Sequence, residues 1–316
     1  MPLPQHVRIV EVGPRDGLQN EPGTLTTETK LELIHRLADA GLPTVEATAF
    51  VSPKWVPQMA DHDTVLRAIR RKPGVNYPVL TPNMKGFEAA ADAGAEEVAV
   101  FGAASEAFSQ ANINRTVAES LTMFAPVIHR AKDHGLRVRG YVSTVCGCPY
   151  QGTVPVEDVV RVTASLFELG VDEVSLGDTI GVGTAGQVAE LIGEVAHHVL
   201  VDRLAVHMHD TYGQGLANTL AALGEGVEIV DASAGGLGGC PYAPGAAGNL
   251  ATEDAVSMLH SMGVDTGVDL EKLVDCSRLA SSLIGRDLPS KYLKAHLGKQ
   301  ARERRQKERA EGAGGG

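Results

Sequence analysis

The chain has 316 residues, of which 43% are hydrophobic and 21% charged, and this is the composition of an ordinary globular protein. Its length exceeds the commonest domain size but lies within the range that α/β barrels fill as one domain. The net charge is −11, and residues 291–316 contain eight Lys/Arg against three Glu, so the preceding body is more acidic still. Because an acidic body repels phosphate groups and only 4% of the residues are aromatic, binding of nucleic acid or of an anionic membrane surface is not expected.

The ends of the chain and its cysteines indicate the compartment. No apolar run approaches the roughly 18 residues that cross a bilayer, and the first residues resemble neither a signal peptide nor a presequence, so a cytoplasmic protein is expected. Four cysteines, Cys146, Cys148, Cys240 and Cys276, are too few for a disulfide scaffold. Cys146 and Cys148 lack the second pair of a structural zinc site, so free thiols are predicted.

Short Val-rich runs alternate along the chain with longer segments of helical spacing. The first helix is expected after Thr26, a capping residue, and another after Pro155. Four joints of the form Gly-x-x-x-Val, beginning at glycines 41, 94, 170 and 226, follow helical stretches, and glycine suits the residue after a helix because it accepts a positive φ. The runs predict eight strands, at about residues 7–12, 44–50, 76–81, 97–102, 137–143, 172–177, 203–209 and 227–233.

Eight strands alternating with helices over about 250 residues predict a (β/α)8 TIM barrel, an α/β fold. A doubly wound open sheet is the alternative, but it more often has Gly-x-Gly-x-x-Gly after the first strand, where this chain has Gly-Pro-Arg-Asp-Gly-Leu-Gln. Residues 252–263 and 269–285 predict extra C-terminal helices. One catalytic domain is therefore expected over 1–290, with the barrel at about 5–250 and the helices at 252–290. Residues 291–316 are interpreted as a charged and Gly-rich tail that begins as a frayed helix, the alternative being a basic tail for an anionic partner.

Polar residues collect where the predicted strands end, and this is the end at which barrel enzymes place their active sites. Buried acidic and imidazole groups there require neutralising partners or a metal ion. After strand eight comes a loop in which six of the fourteen residues 235–248 are glycine. The polar residues at these ends are Glu11, Arg15 and Asp16 after strand one, Glu46 in strand two, Ser175 and Asp178 in strand six, and His207, His209 and Asp210 in strand seven.

Two of these residues have the spacing of metal ligands. His207 and His209 are two positions apart on a strand, so their rings face the same side and could hold one ion. Asp16 and Asn249 would add oxygen ligands. Such a mixed N/O set without thiolate suits Mg²⁺ or Mn²⁺ better than structural zinc.

Other polar residues allow more than one interpretation. Cys240 lies in the Gly-rich loop, where backbone without side chains can close over a ligand and carry a thiol with it, although a single cysteine is more often a small buried hydrophobe. Cys148, in a second Gly-Cys-Pro-Tyr, is expected to be structural. Asp178 and Glu46 are either ion-pair partners of Arg15 or catalytic groups.

Long stretches of the chain resemble the 3-hydroxy-3-methylglutaryl-CoA lyases, barrel metallolyases named for an Asp-Arg-Glu set. The resemblance covers roughly residues 5–290 and implies the barrel fold and cleavage of 3-hydroxy-3-methylglutaryl-CoA to acetyl-CoA and acetoacetate in leucine degradation. It also implies a CoA thioester as the substrate and a homodimer. Its most specific parts are Val10–Glu21, Glu46–Asp61, Ser175–Gly183, Val206–Gln214 and Gly235–Tyr242.

The resemblance further implies a role for each candidate residue. The divalent ion, Mg²⁺ or Mn²⁺, would be held by Asp16, His207, His209 and Asn249 and would bind the substrate's hydroxyl and carboxylate oxygens. Arg15 would stabilise the thioester enolate, and Gln19 would join it in binding the substrate. Proton transfer would involve Cys240, with His207 or Asp178 near the hydroxyl proton, while Glu46 and Glu253 would support the site.

Two rival functions remain at this stage. A condensing enzyme of the same superfamily, similar to 2-isopropylmalate synthase, shares Arg-Asp-Gly-x-Gln and His-x-His but lacks the long Cys240 loop and usually adds a regulatory domain. A catalytically silent barrel that serves as a metal-dependent scaffold would leave unexplained why metal, enolate-stabilising and proton-transfer residues occur together.

Overall fold

All eight Val-rich regions form β-strands in the computed structural model, which describes residues 3–239 and 248–313. The second region is divided into two short strands, so nine strands lie in the described part of the chain. They are β1 Arg8–Glu11, β2 Thr44–Val45, β3 Thr48–Ala49, β4 Val79–Leu80, β5 Glu97–Ala103, β6 Arg137–Ser143, β7 Glu173–Asp178, β8 Leu204–Met208 and β9 Ile229–Ala232.

Helices fill the intervals, and several begin at a side chain that caps their first free amides. The Thr26 hydroxyl accepts the Thr29 amide at the start of the first helix, and Thr116 and Glu119 form a reciprocal capping box at the fifth. The helices are α1 Thr27–Asp39, α2 His62–Ala68, α3 Met84–Asp92, α4 Glu106–Ile113, α5 Val117–Asp133, α6 Val156–Glu168, α7 Ala185–Ala196, α8 Gly215–Gly224, α9 Thr252–Ser261, α10 Leu270–Ile284 and α11 Lys291–Ala313.

The strands pair in parallel in the order β2-β1-β9-β8-β7-β6-β5-β4-β3. Because β2 and β3 belong to one stretch of chain, the two edges of this sheet meet and the barrel closes. The joint lies at Glu46, whose amide donates to Glu11 O at 2.8 Å, and at Ala47, whose amide donates to Pro78 O at 2.9 Å. The predicted TIM barrel with extra C-terminal helices is confirmed, and an open doubly wound sheet is excluded.

The predicted helix-to-strand joints are also confirmed. Gly41, Gly94, Gly170 and Gly226 have φ values of 94°, 87°, 103° and 96°. Side chains with a Cβ rarely adopt this conformation, so glycine ends each helix and lets the chain turn back into the barrel.

The C-terminal helices pack outside the barrel. α9 and α10 lie at the predicted positions, and α11 extends through the region predicted to begin as a frayed helix. Its start is fixed by Asp254, whose carboxylate accepts the Lys291 amide at 3.1 Å and the Tyr292 amide at 2.8 Å. None of the helices within residues 3–239 and 248–313 has the length and hydropathy of a bilayer-crossing segment.

Candidate active site

A cavity of about 220 Å³ opens at the carboxyl ends of the strands. Barrel enzymes place their active sites at this rim. The residues that line the cavity come from separate strands and the connections after them, and they include Arg15, Asp16, Gln19, Leu80, Phe101, Tyr141, Ser143, Ser175, Gly177, Thr179, His207 and His209.

Three of the predicted metal ligands meet in this cavity. One ligand atom from each of Asp16, His207 and His209 lies within 4.8 Å of the other two. Burial and the neighbouring His207 lower the pKa of His209 to about 3, so its ring is neutral and free to bind a cation. Burial alone would raise the pKa of Asp16, but Arg15, His207 and the Asn249 amide outweigh it and hold that carboxylate in its charged form.

The fourth predicted ligand, Asn249, lies beside this cluster. Its Nδ2 donates to Asp16 Oδ2 at 2.9 Å and to Leu237 O at 3.0 Å, and its backbone bridges to His209. Its Oδ1 is buried and has no hydrogen-bond partner among the described residues. Because a buried acceptor without a partner is costly, this oxygen fits a cation ligand, as do the charged Asp16 and the neutral His209.

Arg15 is held at the edge of the cluster by two carboxylates. Its Nη1 lies 2.8 Å from Asp16 Oδ1 and its Nε 2.8 Å from Glu46 Oε2, and its Cζ lies 5.4 Å from the centre of the Tyr141 ring. Glu46 is fully buried. Burial lowers the pKa of Arg15, but the charges of Glu46 and Asp16 more than compensate and raise it. Of the two interpretations of Glu46, the geometry matches the ion-pair partner of Arg15.

Two buried side chains near His207, those of Asp231 and Arg139, are not singled out by the sequence pattern. His207 Nδ1 lies 3.4 Å from Asp231 Oδ2, and Asp231 also accepts Ser175 Oγ at 2.8 Å and Arg139 Nη2 at 2.6 Å. A carboxylate on one ring nitrogen of a ligand histidine fixes the tautomer and leaves the other nitrogen for the metal. The sequence does contain one sign of this role, because Asp231 is a charged residue inside a Val-rich strand. That it lies opposite His207 is known only once the pairing of the two strands is known.

The other predicted residues divide into those that face the cavity and those that do not. Gln19 lines it, with a buried Oε1 that has no partner in the described part of the chain. Asp178 is next to the cavity-lining Gly177, so its side chain faces the opposite side of the strand. There it accepts the amides of Val182 at 3.2 Å and Gly183 at 2.9 Å. The structure therefore does not pair Asp178 with Arg15 or place it in the cavity lining; burial raises its pKa, and the charge of the nearby His207 opposes the shift.

Glu253 lies behind the start of the Gly-rich loop. It is fully buried and its Oε2 accepts the Gly235 amide at 2.8 Å. Burial raises the pKa of Glu253 to about 7, although hydrogen bonds from Ser277 and Gly235 oppose the shift. Glu253 thus supports the backbone before Cys240 and does not line the cavity.

This shift predicts a pH-dependent effect of Glu253→Gln. Because the folded chain retains a proton on Glu253 that the unfolded chain releases near pH 4.5, the contribution of Glu253 to the wild-type free energy of unfolding should fall as pH rises from about 4.5 to 7. Glutamine cannot ionise, so the variant should gain about 2–3 kcal/mol relative to wild type across this window. Urea denaturation of the metal-free protein at pH 5 and pH 8 measures the change, with the exposed Glu225→Gln as control. A difference that does not vary with pH would contradict it.

Three of the four cysteines lie in the described part of the chain. Cys240 lies outside the described residues. Cys146, Cys148 and Cys276 are free and buried, as predicted. Cys148 accepts the Ser105 hydroxyl at 2.9 Å, and this packing fits the expected structural role.

A closed parallel barrel with a buried N/O cluster and an arginine at its rim defines a barrel enzyme whose site can hold a cation. Comparison with known proteins identifies the family, because the HMGL-like family model matches residues 6–280. The chain therefore belongs to the HMGL-like family and is an enzyme of the lyase class.

Individual relatives match the chain over most of their own length. The chain is 57% identical over 293 residues to the mitochondrial hydroxymethylglutaryl-CoA lyase of Bos taurus, covering 93% of this chain and 90% of that protein. It is equally similar to the cytoplasmic 3-hydroxy-3-methylglutaryl-CoA lyase of Danio rerio, covering 93% and 88%.

Solved structures show the same fold. The hydroxymethylglutaryl-CoA lyase of Pseudomonas aeruginosa superposes with a TM-score of 0.93 at 53% identity, covering 95% of this chain and all of that one. A lyase of Acinetobacter baumannii in complex with coenzyme A and 3-methylmalate superposes with a TM-score of 0.88 at 37% identity, covering 92% and 95%.

Proposed function

We propose that the chain cleaves 3-hydroxy-3-methylglutaryl-CoA to acetyl-CoA and acetoacetate, with a divalent cation as cofactor. The observation that carries the proposal is the meeting of Asp16, His207 and His209 beside Arg15 in one cavity. The relatives that match over nine-tenths of the chain bear the name of this activity, and one was solved with coenzyme A.

The cation would be Mg²⁺ or Mn²⁺, and Asp16, His207, His209 and Asn249 would hold it. When bound, such an ion polarises the oxygens that it contacts and so favours loss of the substrate's hydroxyl proton. Two imidazoles with one carboxylate and one amide oxygen form a set without thiolate, which suits these ions. Asp231 would orient His207 for this role, because its Oδ2 lies 3.4 Å from Nδ1 of that ring.

Cleavage leaves the electron pair of the broken C–C bond on the thioester side as an enolate. Arg15 stabilises that oxygen, since its guanidinium is anchored by Glu46 and Asp16 and can direct its remaining N–H groups into the cavity. Gln19, with its unpartnered Oε1, adds a polar contact to the bound substrate. Glu46 acts through Arg15 as a positioning residue.

Proton transfer completes the reaction. Cys240 delivers a proton to the enolate carbon and so forms acetyl-CoA, and Glu253 supports the backbone from which Cys240 follows. His207 is assigned as a ligand because of its contact with Asp231, so the hydroxyl proton passes to solvent water in the open cavity. The Cys240 thiolate regains a proton from solvent after it has protonated the enolate carbon. Asp178, turned toward Gly183, supports the rim from behind.

The same resemblance supports a homodimer and a place in leucine degradation. A cytoplasmic location is proposed by analogy with the Danio rerio relative, which is cytoplasmic, whereas the Bos taurus relative is mitochondrial. Sedimentation of the purified chain at twice the monomer mass of 33.2 kDa would support the dimer.

The proposed activity predicts acetoacetate release that depends on a metal. The purified chain, stripped with a chelator and assayed on 3-hydroxy-3-methylglutaryl-CoA, should be inactive until Mg²⁺ or Mn²⁺ is added. A panel of other CoA thioesters, with acetyl-CoA plus a 2-oxo acid, tests the condensing alternative. A protein inert to the first thioester but active in condensation would reverse the assignment.

The matched variant for this assay is Cys240→Ser. It removes the thiol but keeps a small polar side chain, so it should bind Mn²⁺ and the thioester as wild type does and lose about 10²- to 10⁴-fold in turnover. Normal turnover by this variant would remove the thiol from the proposed mechanism while leaving the lyase activity intact.

A further inference from the structure

The short segment that leads from β9 to Cys240, here called the stem (residues 233–239), is held by buried carboxylates. Three glutamates from different parts of the chain each accept one stem amide, and each is less than 5% exposed. The pairs are Ala234 N to Glu11 Oε1 at 2.9 Å, Gly235 N to Glu253 Oε2 at 2.8 Å, and Gly238 N to Glu21 Oε1 at 3.2 Å.

Glu21 differs from the other two because its side-chain partner outside the barrel is charged, so the two form an ion pair. Arg286, which follows α10, donates its Nη2 to Glu21 Oε1 at 2.5 Å and its Nε to Glu21 Oε2 at 3.1 Å. This fork geometry fixes a carboxylate in direction as well as in distance. The position of the Gly238 amide therefore depends on an ion pair with the C-terminal part of the chain.

The segment after Arg286 makes further contacts with the stem. Leu288 lies directly against Gly235, where a Cβ would overlap its side chain. The Ser290 amide donates to Gly235 O at 3.1 Å. The C-terminal segment thus contacts the stem near its start and, through Glu21, near its end.

The stem in turn holds a predicted metal ligand. Leu237 O accepts Asn249 Nδ2 at 3.0 Å. This bond orients the amide group, whose Oδ1 has no hydrogen-bond partner among the described residues. Gly238 approaches Gly248 so closely that a Cβ on Gly248 would lie 2.5 Å from Gly238 O. A shift at Gly238 would therefore move Asn249 and also the backbone that reaches Cys240 two residues later.

We infer that Arg286 is a positioning residue of this lyase, acting through Glu21 on Gly238 and thereby on Asn249 and on the entry to Cys240. The inference rests on the proposed function, since it takes Asn249 as a ligand and Cys240 as the proton donor. It gives the C-terminal segment a part in catalysis that the barrel alone does not supply.

The test compares Arg286→Leu with Arg286→Lys in the full-length holoenzyme. The leucine variant should lose about 10- to 100-fold in kcat with KM for the thioester within about twofold, because displaced catalytic groups lower the rate more than they weaken binding. Its Mn²⁺ affinity, measured by titration without substrate, should fall severalfold. The lysine variant keeps one charged contact with Glu21 and should recover most of both quantities.

The matched control is Arg278→Leu, which removes an exposed arginine of α10 paired with Asp275 at 3.4 Å and should leave kcat, KM and Mn²⁺ affinity unchanged. Should Arg286→Leu fail to fold, Glu21→Gln serves in its place, since its amide oxygen can still accept Gly238 N without the ion pair.

The outcomes separate the inference from the proposed function. A wild-type chain that releases no acetoacetate would refute the proposed function itself. An active wild type whose Arg286→Leu variant matches it in kcat and Mn²⁺ affinity would overturn only the inference. A rise in KM alone would also overturn it, because Arg286 would then contact the substrate directly.

Discussion

Replacing Arg15 with lysine is expected to lower kcat by about 10²- to 10³-fold, the loss typical of removing one donor that stabilises a developing oxyanion. The guanidinium engages Glu46 through Nε and Asp16 through Nη1 and lies 5.4 Å from the Tyr141 ring centre. Only the planar guanidinium, with its several N–H groups, can make these contacts and still direct further N–H groups at the substrate. Lysine keeps the charge but has a single nitrogen, which the two carboxylates would engage.

The control for this prediction is Arg203→Lys. Arg203 also stacks on an aromatic ring, with Cζ 4.5 Å from the centre of Phe167, and its Nε and Nη2 donate to Asp172 O and Val171 O. It lies at the amino end of β8, opposite the cavity. Steady-state kinetics should show a loss for Arg15→Lys and none for Arg203→Lys. Equal kcat values for Arg15→Lys and wild type would show that positive charge alone suffices and that the fork is not used.

Most of the fold could be predicted from local pattern because barrel strands and helices alternate with a regular period. The joints at Gly41 and Gly226 illustrate this, since a positive φ at the end of a helix leaves a mark in the sequence. The division of the second strand at Glu46 and Ala47 leaves no such mark. It arises where one stretch must pair with β1 on one side and β4 on the other, and closure of a barrel is a property of distant segments.

The sequence could predict the site residues at the ends of the strands, but not the residues that support them from inside the barrel. Asp16, His207 and His209 could be found because polar residues at strand ends are unusual in a Val-rich chain. Asp178 looks the same in sequence, yet its neighbour Gly177 faces the cavity and Asp178 does not. Asp231 could not be predicted because its role depends on its position opposite His207, and this position is set by the pairing of two strands that are distant in sequence.

The second large effect is expected for Asp16→Asn, which should weaken Mn²⁺ binding by on the order of 100-fold or more. Asparagine has nearly the same shape, so the change removes the one formal charge among the four proposed ligands, and ligand charge strongly determines affinity for hard cations. In the folded chain Arg15 and Asn249 help to keep the Asp16 carboxylate ionised. Titration of the substrate-free protein with Mn²⁺, followed by electron paramagnetic resonance, measures the loss.

Asp210→Asn separates charge at the ligand position from charge nearby. Asp210 directly follows His209 and is almost fully buried, but its carboxylate pairs with Lys291 and accepts the Gly215 amide at 2.9 Å. Removing its charge should leave Mn²⁺ affinity within a few-fold of wild type, although it should loosen the start of α11. An equal loss in both variants would mean that the cation responds to the general electrostatic field of the rim rather than to coordination by Asp16.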